Sequence, residues 1–148
     1  MTNSLSLHSL PKIYVIRLKP REDLKQCIQK FAVQNNLKAS VVVTCVGSLL
    51  QYNLRFANQK DGVARKGHFE ILSLSGTISD SAVHLHLSIA NEKGETTGGH
   101  LLDENLIFTT AEIAIAELTE LEFERVYDPD SGYPELHINS NRKRHDSP

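Results

Sequence analysis

Three of the seven histidines fall within one short stretch, where their spacing could hold a metal ion. In Val83-His84-Leu85-His86-Leu87-Ser88-Ile89, apolar residues alternate with small or polar ones. A period of two predicts a strand, because successive side chains leave a strand on opposite faces. Val83, Leu85, Leu87 and Ile89 then line one face, and His84, His86 and Ser88 the other. Imidazoles at i and i+2 stand roughly 7 Å apart at their Cα atoms, from a rise of about 3.3 Å per residue. Both can reach one ion. The turn-like Asn91-Glu92-Lys93-Gly94-Glu95 follows, then Gly98-Gly99-His100. A chain that doubles back there returns His100 beside the pair, and the two glycines permit a close backbone approach or a bulge. Three neutral imidazoles with one open position form the donor set of catalytic zinc sites. The same rings could equally be polar groups on a wet face that share hydrogen bonds, and spacing alone leaves both readings open.

A metal at these histidines would take a water or a substrate carbonyl in its open position. Glu70 and Glu112 are then the candidate general acid/base groups, since a carboxylate near a buried site can be tuned toward neutrality. Structural ion pairs with Arg17 or Arg55 are their other reading. The sequence contains no nucleophile motif, P-loop or dinucleotide fingerprint.

The elements that must carry these residues follow from periodicity. Lys12 to Lys19 alternates and is rich in β-branched residues, which predicts a strand that Pro20 ends. Leu24, Cys27, Ile28, Phe31 and Ala32 recur at helical spacing as far as Asn35-Asn36, with Glu22 and Asp23 expected in the first turn after Pro20. The apolar run Val41 to Val46 predicts a strand covered on both faces, broken by Gly47-Ser48. Leu50 to Phe56 and Gly67 to Leu74 are further strands, joined by a turn at Asn58 to Gly62 and ending near Gly76. Leu106 to Leu118 mixes strand and helix signals and is assigned mainly to strand. Leu121 to Tyr127 alternates again before the turn Asp128-Pro129-Asp130-Ser131-Gly132. Many strands with one clear helix predict an α+β (α/β) domain, mainly antiparallel β-sheet packed with few helices. The expected organisation is an N-terminal arm over 1–11, a domain over 12–138 and a polar, disordered tail over 139–148.

At 148 residues the chain is long enough to bury a core within one domain. No apolar run approaches the ~20 residues a membrane span needs, and the first residues, which lack a basic stretch and a long apolar one, are not expected to act as a signal peptide. Cys27 and Cys45 lack metal or disulfide spacing, so reduced core thiols in a cytoplasmic protein are expected. The net charge of −2 conceals a segregation. Residues 1–66 carry eleven Lys/Arg against three Asp/Glu, whereas residues 67–137 carry two against fourteen. Opposite-sign halves predict complementary surfaces within or between subunits, not a uniformly basic nucleic-acid binder.

Several segments together resemble the PPC domain, the domain conserved in plants and prokaryotes. They are Gly67-His68-Phe69-Glu70-Ile71-Leu72-Ser73-Leu74-Ser75-Gly76, His84-Leu85-His86-Leu87-Ser88 and Gly98-Gly99-His100-Leu101. Arg17-Leu18, Glu22-Asp23-Leu24, Thr110-Ala111-Glu112 and Tyr127-Asp128-Pro129 add to it, so the resemblance spans Lys12 to Ile138. It implies an α/β sandwich-like subunit that assembles as a homotrimer, and, for stand-alone prokaryotic members, a DNA-binding or regulatory role. The chain departs from the plant pattern, having no Arg-Gly-Arg-Pro hook and His68 where plant members have arginine. The resemblance also groups the fold with zinc-dependent acetolactate decarboxylase, whose metal is held by an HxH and a third histidine, a pattern that His84, His86 and His100 match. Fold analogy alone does not carry chemistry across. The expectations are therefore a homotrimeric metal-binding module with weak DNA contact, or a zinc-dependent lyase or hydrolase acting on a small carbonyl substrate.

Overall fold

Alternating apolar residues along most of the chain find antiparallel partners in the computed structural model, which describes residues 8–140. Among these residues are eight strands and one helix. They are β1 (Pro11–Leu18), α1 (Leu24–Gln34), β2 (Ser40–Arg55), β3 (Gly62–Ile78), β4 (Val83–Asn91), β5 (Thr96–Leu101), β6 (Leu106–Leu118), β7 (Leu121–Asp128) and β8 (Tyr133–Ser140). The main sheet has the order β1-β6-β2-β3-β4-β5. β2 pairs with β5 as well, through Leu54↔Leu101 and Arg55↔His100, so β2, β3, β4 and β5 close into a ring. Closure removes the unpaired edge that β5 would otherwise present. The expected α+β class with a mainly antiparallel sheet is what the chain adopts.

Inside, Leu54, Ile78, Leu85, Ile89, Ile107, Ile113 and Ile115 form one core with the apolar face of α1. That face is Leu24, Ile28 and Ala32, four residues apart and so stacked on one side of the helix. The helix starts later than its sequence suggests. Pro20 and Arg21 make a turn, with Arg21 at φ +71°, and Asp23 is the N-cap rather than a first-turn residue. Its Oδ1 accepts the Gln26 N–H at 2.8 Å, satisfying a donor that the helix leaves free. Its other oxygen accepts the Glu104 N–H, tying the cap to the loop before β6.

Two further expectations are corrected. Gly47-Ser48 does not end a strand, because β2 runs through it with register shifts on either side of Leu49. Gly47 sits at φ +148°, and a Cβ there would lie 2.1 Å from the Thr110 carbonyl oxygen, so this glycine marks an irregular, close crossing of β6. Val41 to Val46 is not covered on both faces, since Val43 and Val46 are each 57% exposed. In addition, β3 ends at Ile78, two residues past Gly76, and Tyr133–Ser140 forms a strand that its weak alternation did not reveal. The β7–β8 hairpin packs Leu121, Phe123 and Leu136 over Ala39 and Val41, making a second small core. Pro11 in β1 and Asn139 and Ser140 in β8 extend the paired region slightly past the expected domain limits. Most of the arm (1–7) and most of the tail (141–148), including Arg142-Lys143-Arg144, lie outside the described residues.

Two ion pairs, Lys25–Asp103 at 3.0 Å and Lys38–Asp80 at 2.6 Å, join a basic-half lysine to an acidic-half aspartate. Part of the charge segregation is thus compensated within the chain. Cys45 is buried in the core and Cys27 is half-buried beside it, both as free thiols. Burial pushes the Cys45 thiol up to about 12 and raises that of Cys27. Because the thiolate is the nucleophile, a raised pKa and a closed core both suppress reaction. Iodoacetamide at mildly alkaline pH should therefore leave Cys45 unmodified in the native protein and alkylate it fully in denaturant. Peptide mass spectrometry reads the difference, and native labelling at Cys45 would contradict the packing described.

Candidate metal centre

β4 alternates as its sequence requires. Leu85, Leu87 and Ile89 point into the core, while His84 and His86 leave on the outer face of the ring. The return to β5 is built by Asn91, whose Oδ1 accepts the N–H groups of Lys93 at 2.9 Å and Glu95 at 3.0 Å. Gly94 at φ +79° completes the turn, a backbone conformation that favours glycine. The resulting register places His86 directly across from His100. Gly98 and Gly99 let β5 lie between two neighbours. A Cβ on Gly98 would be 2.8 Å from the Leu87 carbonyl oxygen, and one on Gly99 2.7 Å from that of Arg55.

The three imidazoles form a triangle, with ring centroids 5.2 Å apart for His84–His86, 5.1 Å for His84–His100 and 5.6 Å for His86–His100. One nitrogen from each ring can be chosen so that all lie within 4.8 Å of one another. The group could hold a metal ion. Burial holds the His100 pKa down to about 4, and the Arg55 charge and the neighbouring imidazoles push in the same direction. His84 is lowered as well, by burial first and then by Arg125 and His86, with Glu135 opposing. Lowered pKa values keep these two rings neutral, the form that ligates. The Nδ1 of His100 is buried without a hydrogen-bond partner among the described residues. A polar atom left in that state costs about 1–3 kcal/mol. The three rings contact one another edge-on or tilted, with no side-chain hydrogen bond between them among the described residues. The residues fit a metal.

The two proposed carboxylates lie elsewhere. Glu70 is level with Ser48 and Ala90, five positions along β3 from Ser75, the residue that faces His86. At about 3.3 Å per residue that is roughly 16 Å away. Glu112 is on β6, level with Arg17 and Val46, and β2 and β3 separate its strand from β4. His68 is also apart, its ring packed on Phe108 with centroids 4.4 Å apart. The carboxylate that does lie beside the histidines is Glu135 of β8, in an open cavity of about 810 Å³ lined also by Arg55, Lys60, His84, His100 and Arg125. A smaller depression, also lined by His84, reaches His86 and shares Arg125 and Glu135. Sequence reasoning missed Glu135 because it lies on the strand that was not foreseen. It also missed Asn105, a buried side chain that accepts the Asn53 N–H and donates to the carbonyls of Asn53 and Leu102. These bonds tie the end of β5 to β2, and nothing in the polar run Asp103-Glu104-Asn105 distinguishes the one residue that turns inward.

The fold and the histidine cluster define the class of protein. Residues 7–119 match the Plants and Prokaryotes Conserved (PCC) domain, and the chain belongs to that family. Among individual proteins it is 47% identical over 127 residues to the bifunctional protein GlmU of Synechococcus sp. (strain JA-3-3Ab), a match covering 86% of this chain. The chain spans only 20% of that relative's length. A hypothetical protein from Salmonella enterica superposes with a TM-score of 0.90 at 37% identity, covering 92% of this chain and 99% of its own. A protein of Archaeoglobus fulgidus described as metal-containing shares the fold with a TM-score of 0.75 at 24% identity, over 90% of this chain and 99% of its own. So does a protein of Bacteroides thetaiotaomicron described as a candidate DNA-binding protein, with a TM-score of 0.71 at 22% identity, over 92% of this chain and 100% of its own.

Proposed function

We propose that this PCC domain is a metal-binding module that works as a homotrimer, with zinc held by His84, His86 and His100. The observation that carries the reading is the triangle of close imidazoles with an orphaned ring nitrogen on His100. Nitrogen donors suit zinc, copper, nickel or iron, and geometry and availability favour zinc. A metal held there would supply Lewis acidity to an oxygen in its open position. The metal-containing relative from Archaeoglobus fulgidus agrees with this reading. Replacing His86 with Ala should abolish stoichiometric zinc while leaving the fold intact, because its ring lies outside the core. Elemental analysis of untagged protein, loaded with zinc and desalted, tests this. A wild-type protein that retains no metal would refute the site.

Assembly has its own support. The outer face of the sheet exposes Ile13, Val15, Val43, Val46 and Leu72, apolar side chains that a monomer leaves in water. A second and a third copy would cover them, aided by the opposite charges of the two halves. Light scattering at micromolar concentration should give the mass of a trimer, and Val46→Asp should shift it toward monomer. A monomeric wild type would end the reading.

Two roles remain for such a module. A regulatory, DNA-associated role in the cytoplasm agrees with the candidate DNA-binding relative and with the basic β2–β3 hairpin that carries Lys60, Arg65 and Lys66. Contact through those side chains should be weak and strongly salt-sensitive, since it neutralises phosphates without reading bases. Tight, sequence-selective binding of a duplex at physiological salt would show this to be wrong. The alternative is a zinc-dependent enzyme acting on a small carbonyl substrate, and the cavity beside the histidines favours it. In that case Glu135, rather than Glu70 or Glu112, is the carboxylate placed to exchange a proton with a bound molecule.

A further inference from the structure

The cavity at the histidine cluster carries more positive charge than it needs to hold a metal. Arg55 is the direct strand partner of His100, and partners in an antiparallel pair project from the same face. Thr77 is likewise the partner of His84, and its Oγ1 accepts a hydrogen bond from the Arg125 guanidinium at 2.9 Å. The strand order β3-β4-β5 followed by closure onto β2 therefore sets Arg125 on one side of the three imidazoles and Arg55 on the other. Arg55 is held by a hydrogen bond to the Gln59 carbonyl at 3.4 Å, and neither guanidinium is ion-paired among the described residues. Lys60 adds a third cation to the lining, and Glu135 is the one carboxylate among the described residues there. A divalent metal would make the excess larger. Cations are not gathered around a metal to stabilise it, because like charges repel. They are gathered where an anion completes the balance.

We propose that this cavity binds a small organic oxyanion, a carboxylate or a phosphate ester, with its charged group held between Arg55 and Arg125. The planar forks of the two guanidiniums suit the oxygens of either group, and each is anchored through a single neutral acceptor, which leaves donors free for a ligand. A volume of about 810 Å³ admits a metabolite-sized molecule. The oxyanion would lie beside His84 and His100, which line the same cavity and would hold the metal. In that respect the inference rests on the three-histidine metal reading, although the two arginines recognise charge with or without the ion.

Calorimetric titration of the untagged full chain tests this, in zinc-loaded and metal-free forms, with inorganic phosphate, acetate and the uncharged analogue acetamide as probes. Phosphate or acetate should bind and acetamide should not, and whichever anion binds more tightly identifies the headgroup. Arg55→Gln and Arg125→Gln should each weaken the anion by about tenfold or more, the loss expected on removing a charge-assisted hydrogen bond. Zinc content should be unchanged in both variants. Arg125→Gln also removes the bond to Thr77, so Arg125→Lys and Arg55→Gln keep the result readable if that variant unfolds, with circular dichroism reporting the fold. Stoichiometric zinc with no anion binding, or binding indifferent to both arginines, overturns the inference and leaves the metal site standing. Arginine-dependent anion binding in a protein that retains no zinc supports the anion site while the metal reading fails.

Discussion

The close approach of β5 to β2 is the contact on which the site depends. Gly99 lies where any side chain would press on the Arg55 carbonyl, its missing Cβ only 2.7 Å from that oxygen. Without the approach β5 would pair with β4 alone, and His100 would sit on a free edge able to fray or slip. A slip of one residue in a strand turns every side chain to the opposite face. His100 would then enter the core and Leu101 would go into water. Pairing on both sides fixes the register, and Asn105 secures the exit of the strand by satisfying the Asn53 backbone and the Leu102 carbonyl.

The same closure accounts for the electrostatics. His100 is paired to β4 on one side and β2 on the other, so it loses water and gains Arg55 as a neighbour in one step. Both effects favour the neutral ring. Arg125 acts on His84 from the other direction because the β7–β8 hairpin folds back over the end of β3. The imidazoles thus face a field that discourages protons. The neutral imidazole is the form that can ligate a metal ion.

The strand alternation around the histidines was legible in the sequence, and so was the turn that returns His100. Both are local: a period of two dictates which side chains share a face, and Asn91 with Gly94 dictates the reversal. The helix face Leu24, Ile28, Ala32 was legible for the same reason. The strand break expected at Gly47 did not occur, and the one expected near Gly76 falls two residues later, after Ile78. A glycine ends a strand or lets another strand come close, and only the partner decides between them. Here the partners are the carbonyls of Thr110 and His84, distant in sequence or across a turn.

The sequence by itself determined the strand-rich class, the helix Leu24–Gln34 and the candidate ligands His84, His86 and His100, because each rests on spacing within one segment. It could not determine which carboxylate attends them. Glu70 lies in a segment with a clear strand pattern and Glu112 in one of mixed signals, whereas Glu135 lies in a strand that was not foreseen, and proximity to a site depends on sheet order rather than on pattern. Tertiary structure alone decided that β2 pairs with three strands, that Arg55 and Arg125 flank the imidazoles, and that Val43 and Val46 face outward. Each is a contact between residues far apart in the chain, fixed by closing the ring and folding the last hairpin across it.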